Sequence, residues 1–393
     1  MKAGNKVMNA GYALAQGGYW MGLYVVMSCA AVFLQGRGYT NSQLGVVISA
    51  GSAAAFALSP MLGGIVDRSK KLGTSGMLWI LLILQLFLIL SFRAFPGRSM
   101  IVSICYGLYI AVNTCLVPLI TQLCFDLDDM GYDMDFGAAR GVGSLAYAAA
   151  AAVLGRLVER HSSELLIEAG IVLTAFQMAV LLFLGSKSRA AKGPSPSRES
   201  KEESSGMVRF IGENRRFCVL MLGVALLFFT HHLIDNFLIN IVRSVGGGTK
   251  DMGNICAYMA VMELPVMFLY ARISRRIGCP RCVRIGAVFF ALKALGIALS
   301  TSLTGLFAAH TLQAVSYAML TPALVEYVDR YVPHKDSARG QSVSYAMTTL
   351  GGIFSSLLGG MMFDSMSVRA TLLVGALVAA AGMGVCLLAA EKS

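Results

Sequence analysis

An apolar run over residues 218–242 contains His231-His232-Leu233-Ile234-Asp235-Asn236. A run of that length crosses a bilayer as a helix, where a carboxylate is costly unless it is paired or faces water. His231 stands at i,i+4 and His232 at i,i+3 from Asp235, so the three share one helix face. Histidine changes charge near neutral pH. The cluster is therefore a candidate proton or solute site; the plainer reading is a buried polar knot that locks helix packing.

The elements that must carry this cluster are membrane spans. Of 393 residues, 56% are hydrophobic and 13% charged, against about 25% charged in soluble domains. The apolar residues fall into about twelve runs of spanning length. They cover roughly 11–34, 43–66, 77–92, 100–124, 137–157, 165–184, 217–242, 252–271, 283–301, 304–328, 340–362 and 369–389. The 42 glycines suit closely packed membrane helices. This predicts an all-α membrane protein of twelve transmembrane helices. The first run lacks a convincing small-residue cleavage site and more spans follow it, so no cleaved leader is expected.

The net charge of +11 does not point to nucleic acid. Most of the 32 Lys and Arg collect in alternate loops, chiefly at 68–71, 187–216, 272–284 and 330–339. That bias is the positive-inside pattern and predicts cytoplasmic termini in the plasma or inner membrane, with basic loops meeting anionic lipid. Residues 187–216 are polar and read as a cytoplasmic linker between an N-terminal half, 1–186, and a C-terminal half, 217–393. The halves echo each other: Arg140-Gly141 and Arg339-Gly340 each open a span, and the loop at Asp67-Arg68 answers Arg272 to Gly278. Two six-helix repeats are an architecture of alternating-access transporters, with solute near the midplane between them.

Other clusters read as structure. Five aspartates lie between Asp126 and Asp135, but Gly137 occupies the position where a calcium loop needs glutamate. Cys279-Pro280-Arg281-Cys282 is a single CxxC, weak support for metal or redox chemistry. Glu326, Asp329 and Arg330 read as a solvated end of the tenth span. No Walker loop, HExxH or nucleophile elbow is present, which argues against an enzyme and against an ATP-driven pump within this chain. No cofactor or metal is expected.

Gly63-x-Ile65-x-Asp67-Arg68-x-Lys70-Lys71 resembles the signature loop of the major facilitator superfamily, with Lys70 in place of its usual second glycine. In this resemblance Gly63, Asp67, Arg68 and Lys71 form a gating latch, and the fold is two pseudo-symmetric six-helix halves. Over nearly its whole length the chain is similar to the oligosaccharide–proton symporters typified by lactose permease. The matching stretches are Asp135 to Gly143, His232 to Asp235, Met262-Glu263-Leu264, Leu292-Lys293 and Gly360 to Ser365. The resemblance implies that Arg140 binds sugar hydroxyls and that Tyr147 stands where a tryptophan stacks on the sugar ring. It also implies that Glu263 couples solute to proton, with Lys293 and Asp235 as the charged residues of spans nine and seven.

The departures fall in the proton route. Gln122 replaces the glutamate that pairs with the sugar-binding arginine, Gln313 replaces a histidine, and Ser316 replaces the glutamate central to proton translocation. His310 replaces a lysine and is a candidate partner for Asp235; His232 and Thr348 replace another carboxylate–lysine pair. The expected substrate-binding set is Arg140, Gln122, Tyr147, Glu263, Gln313 and Asn236. The expected coupling network is Asp235, Glu263, Lys293, His310 and His232, whose carboxylates and bases can balance in a low-dielectric site. Together these predict a monomeric secondary transporter taking up a small polar solute, a sugar or glycoside, with protons. The alternatives are an exporter or carrier of another metabolite such as a nucleoside, and a solute sensor that does not transport.

Overall fold

The computed structural model describes residues 2–69, 72–188 and 207–391. These divide into two compact units, Met1–Arg198 and Glu199–Ser393. The first contains α1 (Lys2–Leu23), a π-helical turn (Tyr24–Ser28), α2 (Ala30–Gly36), α3 (Asn41–Arg68), α4 (Gly73–Ala94), α5 (Met100–Asp129), α6 (Phe136–Arg160) and α7 (Leu165–Ser188). The second contains α8 (Met207–Glu213), α9 (Arg215–Asn236), α10 (Leu238–Ser244), α11 (Thr249–Ile277), α12 (Cys279–Leu299), α13 (Leu303–Thr311), α14 (Tyr317–Tyr331), α15 (Ser337–Ser365) and α16 (Val368–Ala389). Of the expected linker, 189–206 lies outside the described residues, and 207–216 is mostly helical rather than extended.

Ten of the described helices are long and apolar enough to cross a membrane, and an eleventh span is the pair bent by 47° at the π-helical turn. The remaining expected span, the tenth at 304–328, is not one continuous helix. A short 3-10 turn at Leu312–Ala314 separates α13 from α14, and neither piece meets the length and hydropathy of a span alone. The polar side chains of His310, Gln313 and Ser316 gather at this break. Large apolar side chains such as Phe87, Phe268, Leu377 and Leu388 stand exposed on other helices, as lipid solvent requires.

The two units repeat one packing scheme. In the first, α1 packs on α6 and α7, α4 on α5 and α7, and α5 on α3. In the second, α9 packs on α15 and α16, α12 on α14 and α16, and α14 on α11. Matching spans therefore meet matching spans, a stronger sign of repetition than the weak sequence echo. Small residues permit these crossings. A Cβ on Gly223 would lie 3.0 Å from the Gly382 carbonyl oxygen, and one on Gly382 would lie 2.8 Å from that of Gly223, so α9 and α16 touch backbone to backbone.

Helix starts follow local chemistry. Thr40 and Gln43 form a capping box at α3, while Ser99, Ser302 and Ser367 accept from the third residue of α5, α13 and α16. One loop arginine is structural. Arg37 donates to Glu164 Oε1 and Oε2 at 2.8 and 2.6 Å and to the carbonyls of Phe92 and Phe95 at 2.8 and 3.1 Å, with its guanidinium 4.6 Å from the Phe33 ring centre. It thus ties three segments of the first unit. Arg37→Ala is expected to cost about 2 kcal/mol or more, because two carbonyls and a carboxylate lose their donor. A fall of several degrees in Tm in detergent checks this, with Arg37→Lys failing to restore it because a lone ammonium has no fork geometry.

Candidate functional site

In the second unit, the break in the tenth span brings a polar chain into an apolar interior. Lys293 on α12 is 2% exposed, and its Nζ donates to Gln313 Oε1 at 2.5 Å. Gln313 Nε2 in turn donates to Glu263 Oε1 on α11 at 2.8 Å. Gln313 sits in the 3-10 turn, where the helix is interrupted and its amide can reach both neighbours. An ammonium so buried requires compensating charge, and this relay passes its field to a carboxylate. Pro265 follows Glu263 by two residues within α11 and removes a backbone donor from the helix beside it.

Beside the relay lies the span-seven cluster. His231 Nε2 is 3.3 Å from Asp235 Oδ2. The imidazole tilts onto the Tyr317 ring at 4.8 Å between centroids and meets Phe228 and Phe290 edge-on. α9 ends at Asn236, one residue past Asp235, and the chain bends at Phe237. Four atoms around this point are buried without a hydrogen-bond partner: His231 Nδ1, Asp235 Oδ1, His310 Nε2 and Ser316 Oγ. Buried polar atoms ordinarily have partners, so their concentration marks a place equipped to take up a proton or a polar guest.

Several expectations change here. Asp235 contacts His231, not His310; His310 Nδ1 instead meets the Leu306 carbonyl oxygen at 2.8 Å, within its own helix. His232 packs over Gly352, where a Cβ would lie 2.9 Å from its Cδ2, and Thr348 turns back to the Tyr345 carbonyl. Asn236 donates to Ser356 at 2.8 Å, joining α9 to α15. Glu326 is not merely solvated: its Oε2 accepts from Tyr270 and Ser274, both at 2.5 Å, and Arg330 lies 2.6 Å from its Oε1. Both CxxC cysteines are fully buried in the first turn of α12, and Cys279 Sγ donates to the Ala323 carbonyl.

In the first unit, Asp135 starts α6 by accepting from Ala138 N at 2.8 Å, while Asn9 accepts from Asp135 N and donates to the Asp133 carbonyl. This fixes α6 against α1 and sets Arg140 one turn in. The Arg140 guanidinium carbon lies 3.7 Å from the Trp20 ring centre, and its NH1 donates to Ser144 at 2.7 Å. Gln122 does not join this group: its amide donates to Asp126 at 2.9 Å. Tyr147 shares a hydrogen bond with Ser28 at 2.8 Å and meets Tyr24 edge-on, where the π-helical turn bends the first span. Asp126 and Asp128 are spent on Gln122 and the Met134 amide respectively, consistent with a turn.

Gly63 lies in the last part of α3, and a Cβ there would meet no described atom within 4 Å. The side chains of Asp67 and Arg68, and all of Lys71, lie outside the described residues. Trp20 belongs to none of the residue sets that motif and spacing single out. Its signal is the series Tyr12, Gln16, Trp20, Tyr24, a polar and aromatic stripe at i,i+4 spacing within an apolar run.

Residues 26–374 match the MFS_1 like family, and the chain belongs to that family. It is a multi-pass membrane transporter of the major facilitator type. It is 23% identical over 373 residues to the maltose permease of Geobacillus stearothermophilus, covering 92% of this chain and 89% of the relative. It is 24% identical over 315 residues to a probable 3-phenylpropionic acid transporter of Escherichia coli K12, covering 79% of each. A crystal structure of a mutant nucleoside transporter NupG superposes with a TM-score of 0.82 at 13% identity, covering 98% of this chain and 100% of that one.

Proposed function

We propose that this protein takes up a small polar solute, a sugar or glycoside, together with protons, by alternating access of two six-helix halves. The observation that carries the proposal is the buried Lys293–Gln313–Glu263 relay beside the His231–Asp235 pair, with four partnerless polar atoms around that pair. A proton on Glu263 or Asp235 removes the charge that compensates Lys293, and the unit must then rearrange or bind a new partner. Such a differential interaction is what coupling requires. With Ser316 in the place of the family's proton-carrying glutamate, this reading moves the proton to the carboxylates of spans seven and eight.

On the solute side, Arg140 supplies the hydroxyl-binding donors of the first half, with an aromatic of that half beneath the ring, and Gln122, engaged with Asp126, stands apart from them. Asn236, held by Ser356, positions α9 against α15. The latch at Gly63, Asp67, Arg68 and Lys71 sets the state preference, and both ends of the chain lie on the cytoplasmic side of the plasma or inner membrane. The likeness to a maltose permease supports a sugar. The likeness to a phenylpropionic acid transporter supports the competing reading of an organic acid held by Arg140.

The test is purified monomer in internally buffered liposomes, given sugars, nucleosides and aryl acids under an inward proton gradient. Accumulation that collapses with a protonophore supports symport and identifies the solute. Binding without accumulation would replace it with a uniporter or sensor.

A further inference from the structure

We propose that Trp20, not Tyr147, is the aromatic on which the ring of the solute stacks, and that Arg140 rests on that indole until the solute draws it away. The inference depends on the reading of Arg140 as the solute-binding arginine and adds the specificity residue of the same site.

Three observations carry it. First, the indole is held in a fixed pose. Trp20 Nε1 donates to Gln16 Oε1 at 3.1 Å, Gln16 Nε2 donates to the Tyr12 hydroxyl at 2.7 Å, and that hydroxyl donates to the Ile120 carbonyl at 3.2 Å. Gln16 and Tyr12 are buried, so the chain anchors the ring from α1 to α5. An orienting network behind a partly exposed ring is the arrangement a binding platform needs.

Second, the ring approaches α6 only because residue 143 is glycine. A Cβ at Gly143 would lie 2.5 Å from Trp20 Cδ1 and 3.2 Å from its Nε1. Gly143 is one turn beyond Arg140, so the same helix face supplies both the guanidinium and the gap that admits the indole. The guanidinium 3.7 Å over the ring is a favourable resting place for a cation in a low-dielectric site. A solute whose hydroxyls accept from Arg140 moves that group and uncovers the flat face of the indole for its own ring.

Third, Tyr147 is already engaged elsewhere. Its hydroxyl is joined to Ser28 at 2.8 Å and its ring meets Tyr24 edge-on at 5.6 Å, which commits it to the bend of the first span. Stacking by Tyr147 would require breaking contacts that shape that span.

Trp20 and Trp79 are the two tryptophans of the chain, on α1 and α4 respectively. A Trp79→Phe protein therefore reports on Trp20 alone. Titrating it in detergent with the sugar, nucleoside and aryl-acid panel is expected to shift or quench the emission for the solute that accumulates in liposomes. Trp20→Ala should weaken that solute by about tenfold, and Trp20→Phe should restore most of it. A solute that accumulates without altering Trp20 emission, and binds Trp20→Ala as tightly as the parent, overturns the stacking role and leaves the symport reading intact. Silence of Trp20 toward the whole panel overturns it as well. A solute that alters Trp20 emission but is not driven by the proton gradient supports the platform and refutes the coupling.

Discussion

Arg140→Ala is expected to abolish measurable solute binding, raising Kd by about a hundredfold or more. The guanidinium is a planar fork able to donate to two hydroxyls at once, and each charge-assisted hydrogen bond contributes about 1.5–3 kcal/mol. Asp135 and Asn9 position α6 through backbone groups and do not depend on Arg140, so the variant should fold. Arg140→Lys should recover little, because a single ammonium reaches neither Ser144 nor the solute with the same fork. Equilibrium dialysis against the transported solute decides this, and near-parental affinity in the alanine variant would remove Arg140 from the site.

Glu263→Gln is expected to separate binding from energy coupling. The substituted side chain would still present an oxygen to the Gln313 amide, which now sits 2.8 Å from Glu263 Oε1, but it can neither carry a proton nor offset Lys293. The accumulation ratio under a proton gradient should fall to about one, while solute exchange at zero gradient persists and loses its pH dependence. Parallel loss of exchange and accumulation would indicate that Glu263 holds the solute or the fold rather than the proton. Continued accumulation would shift the proton to the His231–Asp235 pair. The pair is independent enough of Glu263 to be tested alone: His231 meets Asp235 within one helix, at 3.3 Å.

Much of this protein was legible in advance because lipid imposes simple rules. Spanning length, basic loops and the polar stretch at 187–216 follow from hydropathy and charge without any knowledge of neighbours. The i,i+4 relation of His231 and Asp235 also transfers directly into contact, since helical periodicity alone brings them together. Arg140 and Glu263 stand out in the sequence by their motifs. Less visible were relations between helices. Gln313 looked like a substitute for a lost histidine, yet it bridges Lys293 and Glu263 because the tenth span breaks at that residue. His310 looked like a partner for Asp235, yet its ring turns to its own backbone.

The multiple membrane crossings and the positions of rare polar residues within the apolar runs can be read from the chain alone. Those facts depend on local composition and on a period of about 3.6 residues, both properties of a single helix. Tertiary structure decided which of these residues meet. The approach of Trp20 to Arg140 exists because Gly143 leaves room for an indole, and the relay at Gln313 exists because α13 and α14 are discontinuous. Such contacts depend on the shapes of two or three packed surfaces at once, so no pattern along a single helix specifies them.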